Sequence, residues 1–250
     1  MLALCLLLMS GLQIFNAHPA LYIGQASDFD HPILSMYQTQ NDKGDAIGVT
    51  TLFGHAFITT GVLGSSAGDM GPDDRGFPSW ATIPSDQDLT EGRLWHFFFA
   101  WVFVINGLVY LVFGLISRHL RRDLVPSPPE LGHIGRDIVD HALLRFPKGE
   151  AARRYNVLQK LTYLIVIFVL LPLMVLAGLA LAPRIDAGFP WLLAIFGGRQ
   201  SARTVHFVIA NLLVLFTIIH VVMVLLSGVW NNLRSMVTGR YVIRNEVENG

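Results

Sequence analysis

Cysteine and charge are scarce in this chain of 250 residues. Its one cysteine, Cys5, rules out a disulfide framework within the chain, and with it any cysteine-ligated zinc or iron–sulfur centre. Charged residues make up 14% of the sequence against 52% hydrophobic, with a mean hydropathy of +0.50. That is too little charge to solvate an ordinary soluble protein of this length, so the composition indicates a multi-pass membrane protein. Neither sign of charge is in excess, since Lys+Arg and Asp+Glu each number 18, and no dense basic tract points to nucleic acid. The apolar run at 1–17 also lacks the basic start of a signal peptide. It is read as a first spanning helix whose beginning lies outside the sequence.

Long uncharged runs are what the chain does have. Residues 94–117, 161–183 and 204–233 each carry at least 23 uncharged residues in a row, enough to cross about 30 Å of hydrocarbon. Between the opening run and the first of these lies a polar excursion, 18–93, with ten acidic and three basic residues, rich in Gly, Asp, Pro and Ser. A loop of that length is usually functional, which suggests a docking surface for a partner. Its histidines, His31 and His55, read as solvated or structural. PSPPE breaks the chain after 124, and 133–146 has the pattern of an amphipathic interfacial helix. Pro172 predicts a kink in the third run. The expected architecture is all-α, an integral membrane four-helix bundle with helices at about 1–17, 94–117, 161–183 and 204–230. A long outer loop and short interfacial helices complete a single domain over 1–250.

The final run carries two histidines, His206 and His220, fourteen residues apart. At 100° and 1.5 Å per residue both leave one helix face, separated by about 21 Å along the axis. That spacing suits one haem near each membrane surface, each iron taking an axial imidazole. The competing reading is two neutral histidines bonded to neighbouring helices. Basic residues set the orientation: the 118–160 connection holds nine and the tail three, whereas 18–93 and 184–203 hold three each. The basic side is cytoplasmic, so the second and fourth helices both run inward. His96 and His206 are each the third residue of their run and share an outer depth, which makes them the first candidate pair for one haem. Arg93, Arg199 and Arg203 lie near that level, either as the cations that propionates would need or as ordinary boundary residues.

With RLWHF around His96, the pair His206 and His220, and RYNVLQK before the third helix, the chain resembles the b-type cytochrome membrane subunits of nickel-iron hydrogenases, formate dehydrogenases and related bacterial oxidoreductases. The resemblance covers nearly the whole chain. It implies haem b, a bacterial inner-membrane location, and a catalytic partner of hydrogenase or molybdenum-enzyme type on the outer face. It further implies an outer haem on His96 and His206, and an inner haem on His220 with a histidine early in the first helix. No histidine precedes His18 here. His119 is also out of reach, lying 23 residues or about 34 Å beyond His96. Either the chain lacks its true start or the inner haem is absent, and the first is preferred.

Segments like RYNVLQK contribute to the quinone pocket in formate dehydrogenase cytochromes. Asn156 and Gln159 share a helix face, and such an amide pair can bond quinone carbonyls while Tyr155 or Lys160 exchanges protons. An ordinary interfacial anchor has the same composition. The function expected is electron transfer between the quinone pool and the outer partner, with quinone as the one substrate this chain binds. The rival is a haem-free membrane anchor or transporter whose buried histidines relay protons.

Overall fold

The computed structural model describes residues 1–132, 134, 135, 138, 139, 143 and 157–226. It divides into two compact units, Met1–Tyr110 with Met174–Val208, and Leu111–Leu173 with Ile209–Gly250. Among the described residues three helices are long and apolar enough to cross a membrane: α2 (Leu89–Ile116), α3 (Val157–Leu181) and α4 (Arg199–Leu226). A shorter apolar helix, α1 (Leu2–Asn16), precedes them. The flanks of the long helices differ from the uncharged runs for one reason: polar residues extend a helix as readily as apolar ones. Asp88 caps α2 by accepting the Glu91 N–H at 2.9 Å, so the helix begins at Leu89 rather than at 94. Similarly, α3 includes Gln159 and Lys160, and α4 starts with Arg199 and Gln200. Large side chains along α2, among them Leu94, Phe98, Trp101, Ile105, Val109 and Phe113, are exposed. An apolar surface of that extent is stable against lipid and not against water.

The expectation of an all-α protein is corrected in the first unit. Residues 18–93, read as a loop, fold into two antiparallel sheets. One has the order β1 (Ala20–Leu21), β2 (Leu34–Gln40), β3 (Ala46–Leu52), β4 (His55–Ile58), and the other pairs β5 (Gly64–Gly68) with β6 (Gly71–Arg75). Local turn chemistry produces them. Between β2 and β3, Asn41 Oδ1 accepts the N–H groups of Lys43 and Asp45, each at 2.9 Å. Between β3 and β4, Phe53 and Gly54 take φ of 48° and 80°, and Leu52 pairs with His55. That is the two-residue hairpin with both central residues left-handed.

This lobe is joined to α1 and α4 by polar contacts. Arg75, 3% exposed, donates to the carbonyls of Phe77 and Ser85, to Thr82 Oγ1 and to Gln13 Oε1. Gln13 donates in turn to Asp86 O at 2.6 Å, and Asn16 brackets the Phe77 backbone with two bonds. Phe15, Leu21 and Met36 form the apolar core beneath, with Phe77 and Phe207 against them. Before α4, Gly197 and Gly198 end the short helix Trp191–Ile195; a Cβ on Gly198 would sit 2.6 Å from Gly24 O, so only glycine lets the 24–25 strap cross there.

In the second unit, α3 widens to a five-residue turn at Val166–Leu170 just before Pro172. The proline has no N–H to close the ordinary ladder, so the helix absorbs the loss locally instead of breaking. Ser127 and Glu130 form a reciprocal capping box, and Lys160 reaches Glu130 at 2.9 Å. The segment expected as an amphipathic helix, 133–146, lies largely outside the described residues.

Candidate functional site

In the first unit α2 and α4 bring His96 and His206 together. Their ring centroids are 6.2 Å apart with planes at 68°. Each ring is held from behind by a backbone carbonyl of another helix. His96 Nδ1 is 3.2 Å from Leu7 O and 3.1 Å from Ser10 Oγ, while His206 Nδ1 is 3.1 Å from Met174 O. A carbonyl only accepts, so Nδ1 of both rings carries the proton and Nε2 carries the lone pair. Ser10 agrees with that assignment: its own hydroxyl donates to Leu6 O at 2.6 Å, leaving its oxygen to accept from His96.

Two imidazoles on opposite sides of one metal, each bound at about 2 Å with the ring centre about 1 Å further out, stand about 6 Å apart between centres. The observed separation fits. Among the described residues no group of three or more His, Cys, Asp or Glu gathers as a metal-binding cluster. Two imidazole nitrogens are the donors that a haem iron would take from the protein, with the macrocycle supplying the rest.

Of the cations expected near this level, Arg203 is partly buried, donates to His18 O and lies over the Phe15 ring at 5.3 Å. Arg93 is exposed, 5.7 Å from the Phe97 centroid. Arg199 is ion-paired to Asp186 at 2.6 Å. Beside Arg203, His18 has its pKa lowered, first by burial and then by the guanidinium, so the ring is held neutral.

His220 belongs to the second unit. Its Nδ1 lies 3.3 Å from Tyr163 Oη, and Phe216 stacks on it at 5.8 Å. Gln159 is partly buried on α3, Lys160 is ion-paired to Glu130, and Asn156 and Tyr155 lie outside the described residues. Sequence reasoning missed Ser10, Gly11, Gly178 and Tyr163. The small pairs Ser10-Gly11 and Ala177-Gly178, inside otherwise bulky apolar helices, were the available signal.

Apolar spanning helices with an imidazole pair presenting two lone-pair nitrogens define a class: a membrane protein with the donor set of a b-type cytochrome. The family described as prokaryotic cytochrome b561 matches residues 1–239, and the chain belongs to that family. It is also similar to YedZ1 of Azospira oryzae, named as a candidate protein-methionine-sulfoxide reductase subunit, at 36% identity over 132 residues. That alignment covers 53% of this chain and 64% of the relative, less than two thirds of the relative's length. No solved structure matches.

Proposed function

We propose that this chain is the haem-binding membrane subunit of an oxidoreductase complex, passing electrons between the quinone pool and a catalytic partner on the outer face of the bacterial inner membrane. The observation that carries the reading is the His96–His206 pair, 6.2 Å apart with Nδ1 of each ring turned to a carbonyl. His96 and His206 would hold the outer haem b, and Arg203 and Arg93 would be the cations available to its carboxylates. When bound, that group supplies a one-electron couple inside the bilayer. The residues around it fix the tautomer of each ligand, and the α1 and α3 backbones set the ring orientation.

His220 is the ligand on the other half of α4, with Tyr163 as its hydrogen-bond partner. Gln159 on α3, with Asn156 three residues before it in the sequence, would take the quinone carbonyls. In the same unit an open groove of about 420 Å³, lined by Leu120, Val125, Leu164 and Phe168 with Arg118 and Arg121, supports room for an apolar ring and tail. The 18–93 lobe supplies the docking face. Ten of its residues are acidic, and of its three cations Arg75 is buried, so its solvated surface favours a basic partner face. The Azospira relative's name as a protein-methionine-sulfoxide reductase subunit supports a reductase as that partner. The whole of 1–250 acts as one cytochrome domain.

Reduced-minus-oxidised absorption of the purified chain, with haem counted per chain, tests the reading. A b-type spectrum is expected; a folded protein with none would point to the haem-free anchor or proton relay. Cross-linking from Trp80, 75% exposed, should capture the partner. Capture of lipid alone, with the partner found at the 118–160 side, would sink the docking assignment.

A further inference from the structure

We propose that Ser10, Gly11 and Gly178 form a ligand-seating device that opens the helix backbone to both axial imidazoles and makes His96 the more basic of the two. The inference rests on the His96–His206 assignment and concerns what sets its geometry and potential.

In an α-helix the Cα–Cβ bonds tilt toward the N-terminus, so the side chain at position i+4 overlies the carbonyl of residue i. A carbonyl is therefore hard to reach from the side unless i+4 is small. Both carbonyls used here meet that condition. Leu7 O is followed four residues later by Gly11, and Met174 O by Gly178. At i+3 stand Ser10 and Ala177, each 0% exposed. Two unrelated helices thus carry the same arrangement, a carbonyl acceptor with two small residues at i+3 and i+4, each against one histidine.

Gly178 also limits how close its ring comes, because a Cβ there would be tighter than ordinary contact, whereas one on Gly11 would only touch its ring. A Cβ on Gly178 would lie 3.1 Å from His206 Cε1, and one on Gly11 would lie 3.4 Å from His96 Cε1. By contrast Gly107, on α2, would meet nothing within 4 Å. Glycine in a helix interior is otherwise unfavourable relative to alanine, so the two glycines at the histidines have a seating role that Gly107 does not share.

The two seats differ in one atom. Ser10 Oγ adds a second acceptor to His96 Nδ1–H, and its own proton is committed to Leu6 O. Ala177 offers His206 nothing equivalent. An acceptor on the distal nitrogen raises the basicity of an imidazole ligand. A more basic ligand stabilises ferric over ferrous iron, so Ser10 lowers the potential of this centre and acts as a positioning residue.

The test uses the full chain purified with its haem. S10A should keep its haem per chain and its low-spin spectrum but raise the midpoint potential of the His96–His206 centre in a redox titration. G178A should shift the low-spin electron paramagnetic resonance g values more than G11A, following the closer contact. Gly178→Leu, which covers the carbonyl, should lower haem per chain several-fold while Gly107→Leu does not. An S10A midpoint that stays or falls, or a Gly178→Leu protein with full haem and unaltered g values, overturns the proposal. Retention of this haem in H96A would be a separate result, removing the ligand assignment itself and the proposal with it.

Discussion

His206 and His220 share one helix and one face by sequence, yet their surroundings differ in kind. His206 meets a second imidazole and is backed by a carbonyl beside a glycine. His220 meets the Tyr163 hydroxyl and the flat of Phe216. Helical spacing is a property of one chain segment, so it finds the face of α4 that carries chemistry. What that face meets depends on small residues in other helices, which the α4 pattern does not contain. A ligand pair therefore has to be read from two helices at once.

The largest effect that separates the two regions is on haem itself. H96A and H206A should each remove the same centre, because one lost axial imidazole breaks a six-coordinate site. Their double variant should lose no more haem than either single one. H220A should leave that centre's spectrum and potential in place. A double variant losing twice as much haem, or an H220A protein losing the centre held by His96, would erase the contrast.

A smaller effect is expected from Y163F, which removes only the hydroxyl next to His220 Nδ1. Any redox centre on His220 should shift in potential, while the His96–His206 centre keeps its g values. An unchanged titration at both positions would mean that Tyr163 serves packing alone.

The membrane helices and the histidine pair were legible because each is a one-dimensional signal: an uncharged run, or a fixed depth within a run. Helix ends were less so. Asp88 extends α2 by a cap, and Gln159 and Lys160 extend α3 through polar residues that a hydropathy boundary excludes. The sheets in 18–93 were missed because their alternation is short and interrupted by glycines. Even so, Asn41 with Gly44, and Phe53 with Gly54, are turn signals of the kind that mark hairpins. Ser10 and Gly178 were invisible for another reason. Their role exists only when a histidine from elsewhere arrives at the carbonyl they uncover.

The two units also differ in how their polar groups are held, and this gives a stability contrast. Arg75 is buried among four acceptors, three within the lobe and the fourth, Gln13 Oε1, on α1. R75M removes the cation and leaves those acceptors unpaired, each costing about 1–3 kcal/mol before relaxation. We expect a loss of roughly 3 kcal/mol or more for the lobe. Protease cutting within 18–93 at temperatures where the parent resists would show it, and equal resistance would mean the network is dispensable.

The smallest effect lies in the second unit, at the boundary pair of Glu130 and Lys160. The Lys160 ammonium, followed by the Ser127 N–H, holds the Glu130 carboxyl at about 2, below its ordinary 4.5. A depressed carboxylate contributes stability that is complete above about 4.5 and lost as the pH falls through about 2, because protonation then costs more in the folded chain than in the unfolded one. The Glu130 side chain is 37% exposed, so solvent screening limits its worth to about 0.5 kcal/mol. Thermal unfolding of the parent should therefore show a small decline between about pH 4.5 and about pH 2 that E130Q lacks. R75M should retain that decline in full, since it acts on the other unit. If E130Q declines as steeply as the parent, the capping box and its lysine do not stabilise the second unit, and the acid sensitivity belongs to other carboxylates.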